Sequence, residues 1–380
     1  MAFQINGNTV VDNNRKGTFL SANPGVYTNA TRPSSPSTGD LIYNSDANSL
    51  QVWDGSVWKN AGGIQLTTAT GGTIESYNAP DGKKYTIHIF TSPGNFEVTN
   101  LASPELGAFA DIDVITVGGG GGGGRDGAGG GGGGAVKLTT FNPANPLPAP
   151  LLPATIPVTI GAGGAGGLAN PGQGTPGEET SFGILIPAGG GGGGGSLNKA
   201  DPTSRTSNAG SPAPEGSGGG GGGAFRQSSP GGTGGSFQPY GNPGGSGAYS
   251  YDSAFSGGGG GGVSSSGTTA LVPTGGSGGF GVGIADLPST VGTPGPSPER
   301  RYFGGGGGGG GWSVGGTGGV GGGGNGGRAT NTTPVPVNLG LIEGGDANTG
   351  GGGGGSSWGL PTAINPGGSG IAIVRYRRID

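Results

Sequence analysis

Seven times the chain runs six to eight glycines without interruption, and these runs constrain its fold more than any other feature. They are Gly118–Gly124, Gly129–Gly134, Gly189–Gly195, Gly218–Gly223, Gly257–Gly262, Gly304–Gly311 and Gly350–Gly355. Interrupted versions occur as "GAGGAGG" at 161–167 and "GGTGGVGGGGNGG" at 315–327. Ordering a glycine inside a regular element costs roughly 0.5–1 kcal/mol more than ordering an alanine. A flexible linker has no reason to keep its runs to nearly one length, whereas rods crossing one layer of fixed thickness do. In the polyproline II conformation each residue advances about 3.1 Å, so seven span roughly 22 Å. That helix has no internal hydrogen bonds, so every N–H and C=O points outward and needs a partner on a neighbouring rod. With no Cβ anywhere, a rod can be surrounded by others, and net gains of about 1 kcal/mol per paired backbone group are of the order needed to offset the entropy.

The stretch "DIDVITVGGGGGGGRDGAGGGGGGAVKLTTF", Asp111 to Phe141, reads as strand, rod, tight turn, rod, strand. Its two strands are expected to pair, with the rods continuing them as an extended hairpin. "IPVTI" before "GAGGAGG" and "GILIPA" before the run at 189 repeat the transition from strand to rod. The alternative is a disordered glycine-rich chain, since Gly and Pro together make up about 35% of the 380 residues. Regular recurrence of the junctions favours order. Apolar residues are only 29% and charged residues only 10%, so backbone pairing must supply much of the stability.

The expected fold class is all-β plus polyglycine II, with essentially no α-helix. Residues 1–63 form an N-terminal β and attachment region, and residues 64–380 a glycine-rich domain. In the first, Leu41–Tyr43, Leu50–Trp53 and Val57–Trp58 read as a β-meander, with Asp54-Gly55 as a type I′ hairpin turn. "FQINGNTVVDNNRKGTFL" reads as a short hairpin or extended arm. In the second, a β base covers 70–187 and 371–378, and the rods with their loops cover 118–134 and 188–370. The base strands are "KKYTIHIF", then "NFEV" as its hairpin partner after Pro93-Gly94, Asp111–Val117, Ala135–Phe141, Ile156–Ile160 and Ser181–Ile186. The C-terminal "IAIVRYRR" returns to close the domain. Tyr85, Ile87 and Ile89 share one face of their strand; Thr86, His88 and Phe90 share the other.

A net charge of −4 offers no electrostatic footprint for nucleic acid. There is no cysteine for a disulfide or thiolate site, with no second histidine no zinc chemistry is expected, and a Ser-His-Asp site would depend entirely on His88. His88 reads as a satisfied or half-exposed strand histidine. The N-terminal stretch has no basic and apolar signal pattern, and no run approaches eighteen apolar residues, so neither secretion signal nor membrane insertion is expected. Matches to G-x-G-x-x-G carry no information in such a composition, and no carboxylate pair suggests a glycosidase. No catalytic residue, metal site or cofactor is therefore expected.

Taken together, "YTIHIFTSPGNFEV", "ADIDVITVGGGGGGG", "IPVTIGAGGAGG", "SFGILIPAGGGGGGG" and "GGSGIAIVRY" resemble the glycine-rich domain of bacteriophage tail-fibre and related virion proteins, over about residues 70–378. The leader "INGNTVVDNNRK" through "GDLIYNSDANSLQVWDGSVW" is similar to that of phage structural proteins, especially those of phages that infect cyanobacteria. The resemblance implies a virion component, in the tail or fibre. It also fits adhesins that display loops to a host receptor on a polyglycine II sandwich. Several segments between rods are long here, so no binding residue carries over by motif.

Among those segments, aromatic and arginine side chains are the candidates, because Tyr, Trp and Arg dominate binding hot spots and loops on a rigid scaffold carry function. The receptor-binding candidates are Arg226, Tyr240, Tyr249, Tyr251, Phe255, Arg301 and Tyr302. Gln238 to Phe255 reads as exposed recognition; Phe303, Trp312 and Trp358, at or near glycine runs, read as caps on the rod ends. The expected partners are other virion or tail proteins through residues 1–63 and a host-surface glycan or outer-membrane protein. A homo-oligomer, first of all a trimer, is expected through the small N-terminal zone, as fibre proteins commonly are. Three roles stay open: a receptor-binding fibre tip, a purely architectural neck, capsid or fibre component, and ice binding, which the irregular loops disfavour.

Overall fold

The computed structural model describes residues 3–5, 8–11, 25–46, 49–60, 66–80, 82–103, 108, 110–142, 145, 147, 154–168, 172–183, 188, 191–195, 216–222, 241–250, 254–329, 342–357 and 365–378. The chain divides into two compact units, Met1–Ile64 and Gln65–Asp380. The described residues are all-β, with several sheets and no α-helix.

In the first unit, β1 (Phe3–Ile5) and β2 (Asn8–Val11) form a hairpin. A separate sheet has the order β3 (Val26–Tyr27), β4 (Leu41–Asn44), β5 (Ser49–Trp53), β6 (Trp58–Asn60), with β3 parallel to β4. Register places Val26 beside Tyr43, Tyr43 beside Leu50 and Leu41 beside Val52, so these five share one face. All five are exposed or half-buried, Val26 by 67%. The opposite face buries Ile42, Asn44 and Gln51, and the Asn44 amide bridges Asn29 and Gln51. The Asp54-Gly55 turn is not type I′. Trp53 pairs with Trp58, so the loop holds four residues. The Asp54 carboxylate organises it by accepting from the N–H groups of Ser56 and Val57, both at 2.8 Å. An Asx turn has displaced the tighter hairpin. Those bonds, that of Val57 first, and the Lys59 ammonium hold Asp54 well below the usual carboxylate range.

The second unit contains a sandwich. One sheet orders β12 (Val136–Phe141), β11 (Ile112–Val117), β19 (Ile371–Arg377), β9 (Lys84–Phe90) and β8 (Thr73–Asn78). The other orders β14 (Ser181–Phe182), β13 (Ala154–Thr159), β10 (Gly94–Asn100) and β7 (Thr68–Thr70). Period-two alternation decides what goes between them. Phe90, Ile112, Val114, Ala372, Val374 and Tyr376 pack from the five-stranded sheet against Phe96, Val98, Ile156, Val158 and Phe182 from the four-stranded one. The closing strand β19 enters between β11 and β9 and is buried on both faces.

Two expectations need correction here. β9 and β10 are not a hairpin: the chain turns a corner at Pro93-Gly94 and changes sheet, as strands of packed sheets do. Nor is 188–370 only rods and loops. It also holds the hairpins β15 (Ala248–Ser250) with β16 (Ala254–Ser256) and β17 (Val282–Ala285) with β18 (Arg300–Phe303). The latter segment covers the outer face of the five-stranded sheet, where Ile284, Leu287, Val291 and Phe303 pack on Tyr85, Ile87, Ile115 and Ile373. The strand expected at Ser181–Ile186 is described only at Ser181–Phe182.

Above the sandwich the glycine runs form the rod bundle. Gly118 N–H donates to the Ala135 carbonyl just past the β11–β12 pair, and Gly121 and Gly124 donate to Gly132 and Gly129, so the hairpin continues into the rods. The turn between the rods places Asp126 and Gly127 at φ of 63° and 62°.

Candidate interaction surface

Rod 118–124 shows how the bundle is held. Its N–H groups take three directions in turn: Gly118, Gly121 and Gly124 toward 129–135, Gly119 and Gly122 toward Glu178 and Thr175, Gly120 and Gly123 toward Gly368 and Asn365. Its carbonyls do the same, accepting from Gly191 and Gly194, from Gly164 and Gly167, and from Gly353 and Ser356. The donor–acceptor distances run from 2.8 to 3.0 Å. Three residues per turn and two groups per residue give six neighbours. Rod 129–134 is surrounded in the same way, by segments around 121, 192, 218, 258, 307 and 352. A Cβ on Gly121 would overlap the Gly192 carbonyl, and one on Gly131 the Gly121 carbonyl. Only glycine fits an interior position.

At the edge of the bundle one direction of each rod faces solvent, and side chains return at every third residue. Outer rods carry Ser265, Thr268 and Leu271; Thr274, Ser277 and Phe280; Val314, Thr317 and Val320; Asn325 and Arg328. Across the rods they fall into rows. In the middle row Ser277 N–H donates to Thr268 Oγ1 at 2.7 Å, Thr317 Oγ1 to Ser277 Oγ at 3.1 Å, Gly318 N–H to Asn325 Oδ1 at 2.8 Å, and Asn325 Nδ2 to Glu343 Oε2 at 2.6 Å. The sequence reading missed this face. Its signal is the three-residue spacing in "TGGSGGF" and "GGTGGVGG".

The bundle has two ends. The base end meets the sandwich, where Gly118, Gly134, Gly304 and Gly370 adjoin strands. The far end collects the turn at Arg125–Ala128, Leu168, the β15–β16 hairpin, Leu271–Thr274 and Trp312–Val314. Arg125 ties two of these turns, donating from Nη1 to the Leu168 carbonyl at 2.7 Å. Ser313 N–H donates to the Pro273 carbonyl at 3.0 Å and joins two more. Leu168, Leu271 and Val314 stand exposed there.

The structure separates the candidate residues. Arg226, Tyr240 and Tyr251 lie outside the described residues, as do Phe225, Phe237 and Trp358. Tyr249 is in β15 at the far end, paired with Phe255. Phe255 itself is buried, 3% exposed, against Gly127 and the edge of Trp312, with ring centroids 5.5 Å apart. Its ring closes the rod ends rather than facing solvent, because the glycine turn beneath it leaves a hollow that only a large apolar group fills. Arg301 and Tyr302 lie at the base end on β18. The Arg301 guanidinium donates to the carbonyls of Val291 at 2.8 Å and Gly292 at 2.7 Å. Tyr302 Oη accepts from Ser297 N–H at 3.2 Å, and its ring packs on Gly283 and Gly295. Both side chains hold the long β17–β18 loop in shape. Phe303, expected as a cap, is fully buried in the core between that hairpin and the sheet.

His88 is buried and fully partnered. Among the described residues no three His, Asp or Glu side chains gather as metal ligands, and no helix is long and apolar enough to cross a membrane.

This architecture defines a class: an all-β domain whose second core is made of hydrogen-bonded polyglycine rods. The chain belongs to the glycine-rich domain family, which matches residues 91–377. No curated protein matches it.

Proposed function

We propose that this chain is a structural protein of a bacteriophage particle, of tail-fibre or fibre-tip type, which displays loops on a rigid rod scaffold for attachment to the host surface. The observation that carries this reading is the far end of the bundle. Turns and hairpin strands gather there, tied to one another by bonds such as Arg125 to Leu168 and Ser313 to Pro273, at the ends of rods whose backbone groups pair with their neighbours. A scaffold of rods bonded to their neighbours along their length presents loops at little entropic cost, which is what recognition requires. The proposal includes no catalytic, metal or cofactor chemistry and no nucleic-acid partner. The first unit would attach to other tail proteins or to copies of this chain, a trimer first. Its apolar face of Val26, Leu41, Tyr43, Leu50 and Val52 supports that role, since so small a sheet is marginal alone.

Competition tests it. Saturating purified full-length protein should block adsorption of the parent phage to susceptible cells, cyanobacteria being the first hosts to try, and labelled protein should decorate those cells. Unchanged adsorption and unlabelled cells would remove the receptor-binding role. A second reading, a purely architectural neck, capsid or fibre component, is favoured by one observation. Phe255, Arg301 and Tyr302 all serve packing. Imaging antibody-labelled particles separates the two, because a capsid or neck position excludes the tip.

A further inference from the structure

The sequence holds one histidine, and the fold buries it completely in the seam of the sandwich. His88 Nδ1 lies 2.8 Å from the Gly71 carbonyl, which can only accept, so Nδ1 carries the proton. Nε2 is then a lone pair, and it accepts from the Tyr376 hydroxyl at 3.0 Å. Gly71 lies in the corner that leads from β7 of the four-stranded sheet into β8. His88 on β9 and Tyr376 on the closing strand β19 belong to the five-stranded sheet. Two side chains of one sheet are thus joined in line to the corner where the chain crosses from the other, through donors that run in one direction, Tyr376 to His88 to Gly71.

That direction holds for one protonation state only. Added to Nε2, a proton would face the Tyr376 hydroxyl, reverse the direction of that bond and leave the phenolic proton without its acceptor. The cation would sit beside the Phe96 ring, perpendicular to it with centroids 5.1 Å apart, in a space sealed from water. No charge relieves it among the described residues. Glu75 on β8 faces Thr290, Arg375 and Arg377 on β19 lie over Tyr85 on the outer face, and Glu97 on β10 faces Thr70. Tyr376 is the titratable group that touches it.

We propose that His88 is an acid-sensitive latch on the corner that joins the two sheets, closed by the neutral imidazole and opened by its protonation. Burial, opposed by the Gly71 bond, moves the imidazole below its ordinary value of 6.5. The sign follows: the unfolded chain takes up a proton near that value while the folded one does not. Stability is therefore complete above it and is lost as pH falls toward the folded value, with the folded-to-unfolded ratio dropping about tenfold per pH unit in that window.

Because no other histidine is present, the imidazole nitrogens of the full-length protein can be followed by NMR without assignment by mutation. Between pH 8 and 5 the expected result is an unprotonated Nε2 and a protonated Nδ1 as long as the domain is closed. Amide protection of the β7–β8 corner and of β19 should be lost together as the imidazolium signal grows. Tyr376→Phe, which keeps the ring and removes the donor, should narrow the pH window in which stability changes. Where that variant does not fold, the wild-type titration decides alone. An imidazole that titrates near 6.5 in a domain whose corner and closing strand stay protected overturns the proposal, as does a proton found on Nε2 at pH 8.

Discussion

The sandwich and the rod bundle are continuous along the same chain, yet they exclude water by opposite means. Between the sheets, Phe96, Ile156, Phe182 and Val374 fill space with side chains, and the backbone pairs only within each sheet. Among the rods there are no side chains to fill space, and the backbone pairs in six directions. The boundary falls within a residue or two: Val117 is core of the first kind, and Gly119 of the second. The difference teaches where each region is vulnerable. A side-chain core has rotamers and small voids through which it relaxes. A lattice of amides has neither, so it should tolerate a missing contact poorly and an added atom hardly at all.

The largest expected effect comes from adding one methyl group to the lattice. Gly131→Ala places its Cβ on the Gly121 carbonyl, with Gly353 and Gly307 bonded on other sides. Overpacking at about 3 kcal/mol and the loss of two backbone bonds at about 1 kcal/mol each suggest a cost of roughly 5 kcal/mol. Urea unfolding measures it, and amide exchange of Gly129–Gly134 should accelerate in any variant that still folds. A cost under about 1 kcal/mol would mean that the rods can move apart, and the contrast between the two cores would fail. Next comes the clamp that joins the β17–β18 segment to the sheet. Arg375 donates to Asp113 at 3.0 Å and to the carbonyls of Ala285 and Asp286 at 2.6 and 2.8 Å. Arg375→Met leaves these acceptors unpaired, at about 2 kcal/mol, and hydrogen exchange should show 282–303 loosening before the sandwich does.

Much of this was legible in the sequence, and the misses have physical reasons. Equal run lengths implied rods, and "DVITV" with "VKLTT" implied the pair that launches them, because strand alternation and absence of Cβ are local properties. Closure by Ile371–Arg377 was readable because a strand apolar on both sides belongs in the middle of a sheet. The β17–β18 hairpin was not: "GVGIADL" and "ERRYF" are short and polar at their ends, and their burial comes from the sheet they cover. Pro93-Gly94 signalled a turn correctly, but whether the strand after it pairs back or changes sheet depends on partners far away in sequence, β13 and β7. Of the site, composition found aromatic loops but could not tell a ring that faces solvent from Phe255, which fills the hollow over Gly127. The spacing did contain a sharper rule. Pure glycine marks a rod enclosed by rods, and one larger residue in three marks a rod at the surface, as at Thr317, Val320 and Asn325.

Removing a methylene from the sandwich provides the counterpart to the glycine substitution. Ile373→Val, fully buried between Ile115 and Ile89, should cost about 1 kcal/mol. The two changes are equal in size and opposite in sign of volume, so their ratio measures how much stiffer the backbone lattice is than the side-chain core. Near equality would mean that the rods relax as side chains do.

The smallest effect belongs to the surface rows, and it tests the spacing rule most directly. Thr317 points outward, and its hydroxyl makes one bond to Ser277. Thr317→Ala should change stability by about 0.5 kcal/mol, the loss of one exposed hydrogen bond. Gly316→Ala, one residue earlier on the same outer rod, puts its Cβ on the Gly276 carbonyl and should cost several times more. Both variants carry alanine in the same rod, and only Gly316→Ala also removes freedom from the unfolded chain, which by itself would favour folding. A larger cost at Gly316 therefore reports that its direction of the rod holds another backbone, where that of Thr317 holds solvent. If the two variants unfold at the same urea concentration, outward and inward positions are not distinguished in solution, and the three-residue spacing loses its structural meaning.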